Sequence, residues 1–351
     1  MNNLSFTKKS LSILSCLIFL NLGCEDVASV SILEDTDSFI QETSFNNKID
    51  VLWVIDNSGS MANLQANVAS NFEAFINQFE LKNYDFQIAV TTTEAWRESN
   101  GNIYCAQSNN ISRFRDDSGF SILTADTPDL SNAFLTNISQ GTSGCGDERA
   151  FESMKLSLEN EDNIAMGFPR ADAFLAVIIV SDEDDFSHDG GEFLGQNYSD
   201  PALIDPLVYV NFLDQLTNSN PIQKTYNVSS ISILDEACRL ENTPYGLISH
   251  RYSALVDQAD GVKASVCAPD FSENLELIQS KIISLSTQFF LTRLPHPESI
   301  EVIVDGSVMA ESEINGWSYN ELSNSILFYG DSVPSQGAVI EINFDPITLQ
   351  N

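Results

Sequence analysis

Positive charge is what this chain most lacks: 16 lysines and arginines stand against 50 aspartates and glutamates, a formal net charge of −34 over 351 residues. Nucleic acid is excluded as a partner on that ground, because binding phosphates requires clustered cations to displace counterions. Histidine is almost as scarce, with only His188, His250 and His296. Neither HExxH nor GxSxG occurs, so two common hydrolytic templates lack their parts. No CxxC pair occurs either, which leaves a zinc site built from thiolates without its usual spacing. Beyond residue 22 no apolar run is long enough to cross a bilayer. A hydrophobic fraction of 43% nevertheless places the chain among folded rather than disordered sequences.

The one early apolar run has a specific grammar. Lys8 and Lys9 precede Leu11 to Leu22, and Gly23 and Cys24 follow. This is the positive region, apolar region and small-residue site of an export signal over residues 1–23. A small residue directly before Cys resembles the bacterial lipobox, with Asn21 departing from the preferred Leu, and implies lipidation at Cys24. An ordinary secretory signal with an incidental cysteine is the plainer alternative. Residues 24–47 are acidic and rich in Ser and Thr, and read as a tether. The expectation is an exported protein of the cell envelope, held to a membrane only by its N-terminal lipid, with the periplasmic or surface face left open.

Four cysteines remain once Cys16 leaves with the signal and Cys24 takes the lipid: Cys105, Cys145, Cys238 and Cys267. An even number in an exported chain reads as two disulfides. Of the three possible connectivities, Cys105–Cys145 with Cys238–Cys267 closes the shortest loops.

From residue 48 apolar strands alternate with helical periodicity. "IDVLWVID", "YDFQIAVTTT", "FLAVIIVSD", "VSSISIL" and "VKASV" read as strands, and Leu64, Val68, Phe72, Phe75, Ile76 and Phe79 recur at helical spacing in residues 62–80. Further helices are expected near 148–158, 206–217, 247–258 and 273–287. Strands apolar on both faces and separated by helices define a doubly wound α/β domain with a mostly parallel sheet, residues 48–294. From Pro297 to Asn351 the pattern turns to alternating apolar and polar residues around Gly, Asn and Pro, a small antiparallel β module.

Ligands of such sheets sit beyond the C-terminal strand ends, at the switch point of the strand order. Asp56 ends the first strand in the run Asp56-Asn57-Ser58-Gly59-Ser60, and Asp182 ends "FLAVIIVSD". Asp56, Ser58 and Ser60 form a DxSxS pattern, and with the surrounding order of elements the chain resembles the von Willebrand factor A family over roughly residues 48 to 292. That resemblance implies a metal-ion-dependent adhesion site. Its ligands here would be Asp56, Ser58, Ser60, Asp182 from "VSDEDD" and Thr142 from "SQGTSGCGDERAFESM", with Ser143 as the alternative register. Hydroxyl ligands leave a divalent cation under-neutralised, so Mg²⁺, or else Mn²⁺ or Ca²⁺, would keep a position open for a Glu or Asp carboxylate of a partner protein. The function implied is cation-dependent adhesion rather than catalysis.

Other readings compete. Ser58 and Ser60 could merely cap the following helix. Asp185 to Gln196 places oxygen side chains at calcium-loop positions 1, 3 and 5 with Gly190 at 6, although Gln196 stands where the bidentate Glu belongs. An envelope hydrolase on the same fold, or a surface protein that binds through its C-terminal β module, are the functional alternatives.

Overall fold

Residues 49–55 are apolar at nearly every position, and such a segment is stable only when both of its faces are covered. The computed structural model shows how that is done. It describes residues 39–44, 48–81, 84–194, 197–220, 224–242, 246–335 and 337–347, so the signal segment, Cys24, most of the tether and Gln196 lie outside the described residues. In chain order the first elements are β1 (Phe39–Ser44), β2 (Lys48–Ile55), α1 (Ala62–Ser70), α2 (Phe72–Leu81), β3 (Asp85–Thr92), β4 (Ile122–Leu123) and α3 (Leu130–Ile138). Then come α4 (Ala150–Glu159), α5 (Glu161–Ala165), β5 (Phe174–Val180), α6 (Pro206–Leu216), β6 (Tyr226–Ser232), α7 (Glu236–Asn242) and α8 (His250–Gln258). The chain continues through β7 (Lys263–Ser265), α9 (Phe271–Ser286) and β8 (Phe289–Phe290). The last strands are β9 (Glu301–Val304), β10 (Ser307–Met309), β11 (Gly316–Asn320), β12 (Ser325–Tyr329) and β13 (Val339–Phe344). None of the described helices is long and apolar enough to cross a membrane.

The central sheet runs β4-β3-β2-β5-β6-β7, parallel throughout except for β4. It is the expected doubly wound α/β arrangement. Alternate residues of β2 serve two cores. Ile49, Val51, Trp53 and Ile55 face α1, α2, α3 and α9, while Leu52 and Val54 face α4, α6 and α8. Trp53 meets Phe75 and Phe134 edge-on, with ring centroids 5.3 and 5.4 Å away. Each such buried aromatic contributes on the order of 1.5–3 kcal/mol by leaving water. The order reverses between β2 and β5, so the strands ending at Asp56 and at Asp182 are neighbours at the switch point.

Three details differ from the reading of the sequence alone. The helical run 62–80 is two helices, divided at Asn71, whose side-chain amide donates to the Asn67 carbonyl at 2.9 Å and competes with helix continuation. Residues 39–44, inside the stretch read as a tether, form β1 and pair antiparallel with β13. The C-terminal strands are antiparallel as expected, in sheets ordered β1-β13-β9-β10 and β11-β12-β8. They do not keep a core of their own, however. Val302, Trp317, Ile326, Phe328, Ile340 and Phe344 join the same buried cluster as β2. Both disulfides close as the shortest-loop pairing requires, Cys105–Cys145 and Cys238–Cys267, with Cα atoms 5.8 and 5.6 Å apart.

Candidate metal centre

Beyond Ile55 the apolar pattern of β2 stops, and the next residues turn their polar atoms onto one another. The Asp56 amide still donates to Val180 of β5 at 3.0 Å, so Asp56 is the last residue held in the sheet. Its carboxylate is fully buried. The Ser58 amide donates to Oδ1 at 2.7 Å and the Ser181 hydroxyl to Oδ2 at 2.7 Å. Ser60 Oγ donates to Asp182 Oδ1 at 2.9 Å, which ties the two strand ends together. Burial pushes the Asp56 carboxyl up to about 6, and the Asp182 charge adds to that rise, while Ser181 and the Ser58 amide oppose it.

The serines are not helix caps. No side chain caps α1, Ser60 is engaged with Asp182, and the buried Ser58 hydroxyl lies against the Asp56 carboxylate.

The acidic run Asp182-Glu183-Asp184-Asp185 divides its labour. Asp184 accepts from the amides of Arg251 and Tyr252, fixing the start of α8. Asp185 accepts from the Phe151 amide at 3.0 Å at the start of α4 and pairs with Arg251 at 3.2 Å. Ser187 donates its hydroxyl to Asp185 and accepts from the Glu152 amide. The oxygens expected at positions 1 and 3 of a calcium loop are thus committed to helix starts. Asp182 is bonded to Ser60 beside Asp56, and the Glu183 amide donates to the Ser181 hydroxyl that holds Asp56.

The second loop is anchored by its backbone. Gly144 donates to the Asn57 carbonyl at 2.8 Å, and a Cβ at 144 would lie 2.5 Å from the Asn57 side chain, so only glycine permits the approach. Glu94 accepts from the Cys145 amide and from Asn57 Nδ2, and the Cys105–Cys145 disulfide holds the far side. Thr142 and Ser143 are exposed. Thr142 lines a shallow depression beside Ala62, Gln65 and Leu135, and makes no hydrogen bond among the described residues. Of the five expected ligands the structure brings four together, Asp56, Ser58, Ser60 and Asp182, and leaves Thr142 on the surface.

One residue here escaped sequence reasoning. Glu148 is 2% exposed, and the Thr93 hydroxyl lies against its carboxylate. Asp147 and Arg149 on either side pair with each other at 2.7 Å, and Arg149 spends its remaining donors on the carbonyls of His188, Gly190 and Glu192. Burial raises the Glu148 carboxyl well above its ordinary value, and the charges of Asp56, Glu183 and Asp182 push the same way. An acid just before a helix is common for dipole reasons, which hid this one in the sequence.

The donor set suits a hard cation: carboxylates and hydroxyls. No three His, Cys, Asp or Glu side chains among the described residues are gathered as a ready-made cage. The fit therefore depends on the hydroxyls.

No protein-family model and no curated protein matches the sequence. Among solved structures, the chain is similar to the pilus adhesin SpaC from Lactobacillus rhamnosus GG in its open conformation. Identity there is 12% and the TM-score 0.39, over 88% of this chain and 40% of that one. It is also similar to proximal thread matrix protein 1 from the mussel byssus with its metal-ion-dependent adhesion motif occupied by zinc, at 13% identity and a TM-score of 0.39, over 69% of this chain and 48% of that one. The chain thus spans less than half the length of either protein. Its fold class stands on the strand order and connections described above.

Proposed function

We propose that this chain is an adhesion-type binding protein that holds a divalent cation at the β2/β5 switch point, through Asp56, Ser58, Ser60 and Asp182, and through it captures a Glu or Asp carboxylate of a partner protein. One observation carries the reading. A fully buried Asp56 lies beside the Ser58 hydroxyl, Ser60 bonds the carboxylate of the neighbouring strand end, and only serine groups donate to Asp56. Such a carboxylate needs either protons or a cation to be stable at neutral pH. A bound divalent ion would supply the positive charge and an open position for an acidic group. The chain's own residues set the frame: the Asp182 carboxylate orients Ser60, Ser181 and the Ser58 amide orient Asp56, and Glu94 fixes the neighbouring loop.

The two disulfides support an oxidising, exported setting. Attachment through lipid at Cys24 is part of the proposal and lies outside the described residues. Binding rather than turnover is the reading we favour; His188, in the loop that follows Asp185, faces carbonyl oxygens with both ring nitrogens, Phe186 at 2.9 Å and Glu192 at 2.8 Å.

Thermal unfolding of the soluble domain with Mg²⁺, Mn²⁺ or Ca²⁺, each against EDTA, tests the cation. Capture of a partner from envelope extracts, lost on adding EDTA, tests the adhesion. A folded domain with no response to any of the three ions removes the metal reading altogether.

A further inference from the structure

We propose that the notch between Tyr104 and Phe193 is a docking site for one apolar side chain of a partner protein, carried on a segment rich in Lys or Arg. The argument begins with exposure. Tyr104 is 72% exposed, the neighbouring Ile103 87% and Phe193 43%, so large apolar groups that a fold ordinarily covers face water. The two rings come from loops far apart in the chain and meet edge-on, with centroids 5.4 Å apart.

Loops are ordinarily the mobile part of a fold, and these two are pinned from several sides. Asn102 accepts from the amides of Tyr104 and Cys105 at 2.9 and 2.7 Å, and donates to Asp147 at 2.7 Å. The Cys105–Cys145 disulfide fixes the residue beside Tyr104. On the other loop, Arg149 donates to the carbonyls of Gly190 and Glu192 at 2.8 and 3.0 Å. Asn100 joins the two loops by donating to the Asp189 carbonyl at 3.0 Å. A Cβ at Gly191 would lie 3.0 Å from the Gly101 carbonyl oxygen, so the backbones are in contact there. Rings held in this way lose little conformational entropy on binding, which is how aromatic anchors gain affinity.

The notch itself selects the occupant. It holds about 200 Å³ and is bounded by the two rings, Cys105, Gly146 and Asp147. That is below the roughly 300–1,000 Å³ of small-molecule sites and fits a single side chain. Asp147 is 3% exposed and gives its Oδ2 to Arg149 and Asn102, so little of its charge reaches the notch. An apolar lining favours an aliphatic or aromatic group over a sugar or an ammonium group, whose polar atoms would lose water without replacement. The rim has the opposite character. Asp189 and Glu192 are the only charged residues of segments 100–107 and 189–194, and both are exposed. An apolar side chain flanked by cations meets both requirements, and the net charge of −34 steers such a segment inward.

The inference stands apart from the cation reading, so its test is run in EDTA. It is an NMR titration of the disulfide-intact chain from residue 25, with Cys24 absent, read at the ring signals of Tyr104 and Phe193. Three capped peptides serve as probes: Lys-Lys-Leu-Lys-Lys, Lys-Lys-Ala-Lys-Lys and Glu-Glu-Leu-Glu-Glu. The expected result is a saturable shift of both rings by the first peptide, binding of the second weaker by about tenfold or more, and no binding of the third. Tyr104→Ala and Phe193→Ser, on separate loops, should each weaken the first peptide by about tenfold. Equal binding of the first and second peptides leaves only charge attraction and overturns the apolar pocket. Equal binding of the first and third overturns the basic partner. No shift of either ring by any peptide overturns the docking site, as does a shift produced by methyl glucoside and by no peptide. Should either variant fail to fold, the three peptides on wild type decide alone.

Discussion

Strand β2 carries a buried aspartate near each end, and the chain treats the two differently. Near the start, Asp50 is fully buried and receives Arg170, with Nε donating at 2.8 Å, while Arg170 also reaches Asp85 at 2.6 Å. At the other end, Asp56 is equally buried and receives a serine hydroxyl and an amide. Burial pushes both carboxyls up to about 6, with Arg170 opposing the rise at Asp50 and Ser181 opposing it at Asp56. Burial acts to lower the Arg170 guanidinium, but the two aspartates outweigh it and hold it above its ordinary value. The difference teaches what each end is for. At the first end the fold itself brings an arginine to the buried carboxylate; at the second it leaves hydroxyls and a further carboxylate around it, the arrangement on which the proposed cation site rests.

The comparison can be broken in four ways, taken from the largest expected effect. Arg170→Met should destabilise the domain by about 3–5 kcal/mol in urea unfolding, because it strands a buried carboxylate. It should leave the relative affinities for Ca²⁺ and Mg²⁺ unchanged, and an altered cation preference would mean the two ends are coupled. Replacing Cys105 and Cys145 by serine should cost about 2–4 kcal/mol. It should also weaken cation binding, because Cys145 lies three residues from both Thr142 and Glu148 in the loop that the bond restrains. The paired change at Cys238 and Cys267 should cost stability alone, which calorimetry on both variants would separate.

Asp56→Ala should behave in the opposite sense from Arg170→Met. Without cation it should be at least as stable as wild type, since it removes a buried charge set among others. The roughly 2.7 kcal/mol of stabilisation that wild type gains at about a hundredfold the dissociation constant should vanish. An Asp56→Ala protein that keeps its full cation-dependent rise in Tm would put the ion elsewhere.

The smallest effect is in pH. Folded-state carboxyls near 6 at Asp50 and Asp56, against 3.8 when exposed, mean that the folded chain keeps protons the unfolded chain has already released. Stability without cation should therefore fall as pH rises from about 4 to about 6, and level off above. Saturating Ca²⁺ should flatten the share of that slope due to Asp56 and leave the share due to Asp50. Chemical unfolding across this range, with and without the ion, measures both; a slope wholly insensitive to cation would contradict the assignment.

Much of this molecule was legible in the sequence because burial on two faces leaves an unmistakable record. Val51 to Ile55 and Phe174 to Val180 could be nothing but central strands, and the DxSxS run at their edge could be placed without coordinates. Cys105–Cys145 and Cys238–Cys267 followed from loop length once export was inferred. β1 was not legible, since an edge strand needs only a partner edge, which β13 supplies from some 300 residues away. Nor was the merging of the C-terminal strands into the main core, because alternation shows that a face is buried but not against what.

The centre divides along the same line. Asp56, Ser58, Ser60 and Asp182, the proposed ligands, are positioned by strand ends, where hydrogen-bonded register carries each residue to one sheet edge, so the sequence by itself determined where they lie. Thr142 and Glu148 belong to a loop, whose path is set by a Gly144 packed on Asn57, by Glu94 gripping the Cys145 amide and by Asp185 seizing the start of α4. These are contacts between residues far apart in the chain, and no periodicity announces them. Which oxygen of that loop turns inward was therefore decided only by the tertiary structure: it exposed the hydroxyl at 142 and buried the carboxylate at 148.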